Sequence, residues 1–348
     1  MIPAGTTIPL PYTREAATQA LGPEAPQILL TAYEWMVLGR TLDARMQALQ
    51  RQGRVGFYGA ATGQEAVNVG VALASLNDDW IFPGLREQLI ALIRGHDLTR
   101  YVHHLFADAL DPGLGRQMPC HPTAREAHFV SMSSVIGTQI SQAVGLAYAV
   151  KSKRAPGVAL AFFGDGATSS NDFHAGLNLA GVLEVPVLFC LTNNQWAISV
   201  PVEQQTHVKQ LVEKARAYGL PGQRLDGTDV VAVLRETRSA LTEIRHSQKP
   251  RLIEFVLFRM TPHTSSDDPK RYQPSDWADR ALASDPVARL AQWLEAQGLL
   301  DDERKEQLLD RCDQKVRAAI AAAEATPPPD ASTLDRGTFA NPPLSPAL

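Results

Sequence analysis

Two short polar segments carry the chemistry that this sequence can be asked about. Gly164-Asp165-Gly166-Ala167-Thr168 follows directly on the apolar run VALAFF, and Asn193-Asn194-Gln195-Trp196 follows directly on a second run, VLFCLT. In an open parallel sheet, ligands gather at the carboxyl ends of strands. A glycine pair there lets the backbone approach a phosphate, and a following helix offers unpaired N–H groups and the positive end of its dipole. Asp165 is placed to bind a cation that neutralises that phosphate. If the two strands are parallel, the helix and strand that separate Asp165 from Asn194 return both side chains to one edge. A carboxylate, an amide oxygen and a backbone carbonyl are hard oxygen donors. With two diphosphate oxygens and a water they complete an octahedron that suits magnesium. Each segment alone is ordinary turn chemistry, and it is the pair on consecutive strand ends that carries weight. No Gly-x-x-x-x-Gly-Lys-Ser/Thr is present, and no Gly-x-Gly-x-x-Gly follows this strand. The missing glycine fingerprint sets a nicotinamide dehydrogenase aside.

The elements that must position these groups alternate along the chain. Strands are expected at 158–163, 187–192 and 252–258, with a short one at QRLD, and helices at 169–183, 210–218 and 230–245. Continuous apolar strands separated by helices indicate a parallel sheet covered on both faces. Helical spacing predicts a long helix from Gln27 to Gln52 and shorter ones over 63–76 and 86–94. Over 136–150 the small residues Gly137, Ala143, Gly145 and Ala147 predict a helix that packs closely. Residues 107–130 and 262–275 read as long polar loops, which in compact domains are usually functional or disordered. The expected organisation is an extended arm over 1–26, an α/β domain with helices on both faces of its sheet over 27–285, a helical extension over 286–326 and a Pro-rich tail over 327–348.

The chain has 348 residues with a net charge of -4 and 45% hydrophobic residues, an ordinary globular composition with no general pull toward nucleic acid or anionic membrane. No run reaches the length of a membrane span and no secretory signal stands at the start. Cys120, Cys190 and Cys312 are odd in number and widely spaced. They form no metal knuckle, so a reducing, cytoplasmic location is expected.

GDGATSSNDFHAGLNLAGVLEVPVLFCLTNNQWAIS resembles the cofactor signature of the alpha subunits of thiamine-diphosphate-dependent 2-oxo acid dehydrogenases. The likeness runs from about Tyr33 to Leu300 and includes GRQMPCHPTAREAHFVSMSSVIGTQISQAVG, PVEQQT, GLPGQRLDGTDVVAV and FRMTPHTSSDDPKRY. It implies the thiamine-diphosphate-binding fold, in which the alpha subunit holds the diphosphate and Mg2+. A beta subunit supplies the glutamate that activates the aminopyrimidine, in an assembly of two alpha and two beta chains. The activity implied is oxidative decarboxylation of a 2-oxo acid, with acyl transfer to the lipoyl arm of a dihydrolipoyl acyltransferase.

The same resemblance assigns roles to individual residues. Asp165, Asn194 and the carbonyl of Trp196 would hold Mg2+, while Gly164, Gly166 and Ala167 would present backbone to the diphosphate. Arg86 would reach a phosphate oxygen. Ser134 and Ile136 would contact the cofactor, Ile136 as an apolar buttress. His263 would lie near the cofactor and assist acyl transfer, with Arg259 flanking it. His128 matches a further position near the site, and Thr264, Ser265 and Ser266 fall where some relatives are phosphorylated. Read without the resemblance, Arg86 is a surface arginine at a helix start and His263 a solvated loop histidine. The chain departs from the pattern at Leu85, where a tyrosine is usual, at Gly84, where branched-chain relatives carry glutamine, and at Trp196, where Tyr or Phe is usual.

GRQMPCH is more similar to the branched-chain enzymes than to the pyruvate enzymes, so 2-oxoisovalerate and its homologues are the expected substrates. Pyruvate or acetoin is the alternative. A partner subunit that binds the cofactor but is catalytically idle is the reading from another class, and Leu85 is what points to it. Asp165, Asn194 and His263 speak against it.

Overall fold

The computed structural model describes residues 7–264, 266–334 and 336. In chain order its main elements are α1 (Arg14–Leu21), α2 (Ala25–Arg51), α3 (Glu65–Ala74), β1 (Trp80–Phe82), α4 (Gln88–Ile93), α5 (Leu98–Phe106) and α6 (Thr138–Lys153). There follow β2 (Ala159–Gly164), α7 (Asn171–Leu183), β3 (Val187–Asn193), β4 (Trp196–Ala197), β5 (Val200–Pro201), α8 (Val202–Gln205), β6 (Gly222–Asp226) and α9 (Val230–Ser247). The chain continues through β7 (Arg251–Val256), α10 (Trp277–Ala283), α11 (Pro286–Ala296) and α12 (Asp302–Glu324). A five-stranded sheet runs β1-β2-β3-β7-β6, parallel throughout. β4 and β5 make a separate antiparallel pair.

Successive strand side chains point to opposite faces, and here both faces are dry. Leu160, Phe162, Leu188, Cys190, Ile253 and Phe255 join a core with Met36 of α2, Val67 of α3 and Leu234 of α9. Their neighbours Ala161, Phe163, Phe189, Leu191 and Leu252 join the opposite core with Val144 of α6 and Phe173 and Leu177 of α7. Burial on both sides is the reason the strands read as unbroken apolar runs. Side-chain caps start the helices that matter for the site: Ser170 accepts from Phe173 N, Asp229 from Val231 N and Ala232 N, and Asp285 from Val287 N.

Two expectations are corrected, one is refined, and two elements are new. The N-terminal arm contains α1, which Thr13 caps and which buries Ala17 and Leu21, so it is not extended throughout. Leu211–Tyr218 winds as 3-10 turns and not as an α-helix, and Val212 N in its first turn donates to the Glu254 carboxylate. The helical stretch after Pro286 is two helices parted at Gly298, whose φ is +67°. Finally, β1 and α5 have no counterpart in the sequence reading. β1 is three residues long, too short for any periodicity to show, whereas α5 carries an Asp97 cap and a buried Tyr101, Val102 and Leu105 stripe.

Candidate functional site

The parallel register sets two turns side by side. Gly164 at the end of β2 pairs with Thr192 near the end of β3, so the segments 165–169 and 194–196 leave the sheet at the same edge. Between them and the loops after β1 and β7 lies a cavity of about 500 Å³. Asp165, Asn194 and Trp196 line it, as do Gly164, Gly166 and Ala167. Arg86 reaches it from the start of α4, Ser134 and Ile136 from the turn before α6, and His263 from the loop after β7. Arg259 and His128 are not on its walls.

Asp165 is buried, and burial holds its carboxyl above the usual carboxylate range. A buried anion of this kind gains from a cation. Gln205 Nε2 donates to Asp165 Oδ2 at 2.7 Å. Asn194 Oδ1 accepts from Trp196 N at 3.2 Å, which closes a tight turn over 194–196. Among the described residues no three His, Cys, Asp or Glu side chains gather as a metal cluster. The donors at hand are therefore one carboxylate and neutral oxygens, a set that fits a hard, partly hydrated cation shared with phosphate oxygens. The turn itself admits no bulk. A Cβ on Gly166 would stand 2.8 Å from Ala197 Cβ. Thr168 Oγ1 donates to Asp165 O at 2.8 Å, and Lys214 Nζ donates to Thr168 Oγ1 at 2.9 Å. Lys214 is thus a cation behind the turn that sequence reading passed over, since nothing marks a lone lysine in a 3-10 segment.

Arg86 is buried, contrary to the surface ion pair that its position at a helix start would suggest. Burial and the nearby Arg259 bring its pKa down to about 10. Its guanidinium donates to Ala60 O and, at 3.1 Å, to His263 O. Nη2 also lies 3.3 Å from His263 Nδ1. A guanidinium only donates, so Nδ1 is the acceptor and the ring proton sits on Nε2. Burial first, then Arg86 and Arg259, push the His263 pKa down to about 4. The ring is neutral at neutral pH, with a single N–H to offer.

Arg259 lies behind the cavity wall. It donates to Trp196 O at 3.3 Å, to Ile198 O at 2.7 Å and to Tyr272 Oη at 2.6 Å. Its place is to hold the 196–198 turn against the 267–272 loop. Trp196 fills that space with its indole, 5.2 Å from the Tyr272 ring and 5.7 Å from the Trp277 ring. A bulkier aromatic is accommodated there by these ring contacts, while the Trp196 backbone carbonyl accepts from Arg259.

His128 stacks flat on Trp80, the first residue of β1, with ring centroids 4.4 Å apart. The place near the site expected of His128 is taken by His121, which sequence reading did not single out: it lines the cavity, its Nδ1 sits 3.0 Å from Pro119 O, and its Nε2 meets Ser134 Oγ. The sequence puts both histidines in one Pro-rich loop with no periodicity, so only the fold separates them. Val135 and Ile136 stand 64% and 65% exposed at the cavity mouth, too apolar for a finished surface. Leu85 packs over Gly59, and Gly84 has little room, since a Cβ there would meet Glu87 Oε2 at 3.0 Å. Thr264 lines the cavity and its Oγ1 lies 3.1 Å from Ser266 Oγ, while Ser265 lies outside the described residues.

Residues 33–332 match the family described as Dehydrogenase E1 component. This chain belongs to that family. Among E1 component relatives, the 2-oxoisovalerate dehydrogenase subunit alpha 2, mitochondrial, of Arabidopsis thaliana is 36% identical over 91% of this chain and 67% of its own length. The 2-oxoisovalerate dehydrogenase subunit alpha, mitochondrial, of Homo sapiens is 36% identical over 94% of this chain and 75% of its own. The 3-methyl-2-oxobutanoate dehydrogenase subunit alpha of Mycobacterium tuberculosis is 40% identical over 84% of this chain and 77% of its own. A second Arabidopsis thaliana relative, subunit alpha 1, is matched over 64% of its length. The expected cytoplasmic location does not stand, because the plant and human E1 relatives are named mitochondrial. Free thiols mark any reducing compartment, so cysteine usage had no power to choose between them. Among the described residues no helix is long and apolar enough to cross a membrane.

Proposed function

We infer that this chain is the alpha subunit of a thiamine-diphosphate- and Mg2+-dependent dehydrogenase acting on branched-chain 2-oxo acids such as 2-oxoisovalerate. The reading is carried by one observation: an oxygen-donor set of Asp165, Asn194 and the Trp196 carbonyl lines the same cavity as Arg86 and His263, in a chain whose E1 relatives carry that substrate in their names. Thiamine diphosphate, when bound, supplies the nucleophile and the electron sink for decarboxylation. Asp165, Asn194 and the Trp196 carbonyl hold Mg2+. The 164–167 turn presents its backbone to the diphosphate, and Arg86 neutralises a phosphate oxygen. Ser134 and Ile136 pack on the cofactor. His263, neutral with its proton on Nε2, donates to an oxyanion or thiol partner during acyl transfer to the lipoyl arm of a dihydrolipoyl acyltransferase. Arg259 acts through Trp196 and Ile198 and not by touching the cofactor.

The open, apolar mouth at Val135 and Ile136 supports a beta subunit that closes the site, in an alpha2-beta2 assembly. The domain units proposed remain the α/β body and the C-terminal helices that pack on α2 and α5. The test is calorimetric titration of thiamine diphosphate with Mg2+ into this chain, alone and co-expressed with a beta subunit, with Asp165→Ala as control. Tight Mg2+-dependent binding to the assembled form, lost in the variant, is expected. Turnover of pyruvate far above that of 2-oxoisovalerate by the reconstituted complex would overturn the substrate assignment.

A further inference from the structure

Gln205 stands where a site reading has no use for it. It ends α8, well beyond the two strand-end turns, yet its Nε2 spans Asp165 Oδ2 at 2.7 Å and Val200 O at 3.0 Å. Both neighbours are acceptors, so the amide nitrogen must face them, and the side chain cannot be turned over without setting oxygen against oxygen. Its own Oε1 is buried and has no hydrogen-bond partner among the described residues. A buried amide oxygen left unpaired costs free energy unless a donor arrives. The donor that a hydrated cation on Asp165 brings with it is a metal-bound water.

We propose that Gln205 sets the cation preference of this site by holding Asp165 to one-oxygen ligation and by accepting a hydrogen bond from a water on the metal. This rests on the reading given under Proposed function. With Oδ2 tied to Gln205, Oδ1 is the oxygen of Asp165 without a side-chain partner. One-oxygen ligation with retained water suits Mg2+, which holds octahedral geometry and keeps part of its hydration shell. Ca2+ takes more ligands and accepts both oxygens of a carboxylate. Residues that orient a metal ligand in this way typically change affinity 10–100-fold when removed. Gln205 is a positioning residue and not a catalytic one.

The experiment uses the full chain co-expressed with a beta subunit, with saturating thiamine diphosphate, titrated calorimetrically with Mg2+ and separately with Ca2+. Gln205→Leu keeps the bulk but removes both amide groups. It is expected to weaken Mg2+ at least about tenfold while Ca2+ changes less than about threefold, so the ratio of the two constants moves toward Ca2+. Gln205→Glu keeps the length and adds a second carboxylate, and it is expected to move the ratio the same way by strengthening Ca2+. The second variant decides the matter should the first fail to fold. A ratio within about threefold of the parent chain in every variant that folds would overturn the proposal, because a merely structural side chain weakens both cations alike. Failure of the parent assembly to take up thiamine diphosphate with either cation would remove the cofactor reading itself, and this inference with it.

Discussion

Replacing His263 by Gln should alter how stability depends on pH, in one direction and one window. Burial, Arg86 and Arg259 bring the folded-state pKa to about 4, against 6.5 for an unperturbed histidine. The folded chain therefore binds fewer protons than the unfolded chain between those two values. The stability that comes from keeping the ring neutral is fully present above pH 6.5 and is lost as pH falls toward 4. The full difference corresponds to about 3 kcal/mol. The ring is only partly buried, and solvent screening reduces it to about 1–2 kcal/mol. Asp43 and Glu87 work against this signal. Burial lifts both carboxyls to about 6, so their contribution is present at low pH and lost as pH rises through 6. A raw stability curve mixes the two trends, whereas the difference between the parent chain and His263→Gln isolates the histidine. Urea unfolding followed by tryptophan fluorescence, at steps from pH 7.5 to 4.5, gives that difference. The parent should lose about 1–2 kcal/mol more than the variant on going down in pH. A difference that stays flat across the window would refute the account of a ring kept neutral by burial and two arginines.

Gly166→Ala must push the 165–169 turn away from Ala197, so thermal melting should show a loss of about 1–3 kcal/mol and calorimetry a weaker uptake of thiamine diphosphate. Asp165→Asn removes a buried anion, so the cofactor-free chain should be as stable as the parent or more so at pH 7.5 by urea unfolding, while Mg2+-dependent cofactor binding is abolished. Arg40 bridges Glu65 at 2.6 Å and Asp285 at 2.9 Å, so Arg40→Met strands two carboxylates and should cost about 3–5 kcal/mol in chemical denaturation.

The sequence by itself determined the parallel α/β frame, because strands buried on both faces must be continuously apolar and those runs are visible without any coordinates. It also placed Asp165 and Asn194 at neighbouring strand ends, since one helix and one strand of chain return to the same edge of a parallel sheet. Their meeting in one cavity with Arg86 and His263 was legible only through resemblance. Arg86 and His263 are far apart in the chain, and their residue types alone read as surface features. Tertiary structure decided what each does. It buried Arg86 against His263 and so fixed the tautomer of that ring. It moved Arg259 behind the Trp196 carbonyl and exchanged His128 for His121 at the cavity wall. It brought Lys214 and Gln205 to the Gly164–Ser169 turn. None of these pairings has a period or a motif, because each joins segments whose separation is set by packing and not by the repeat of a helix or strand.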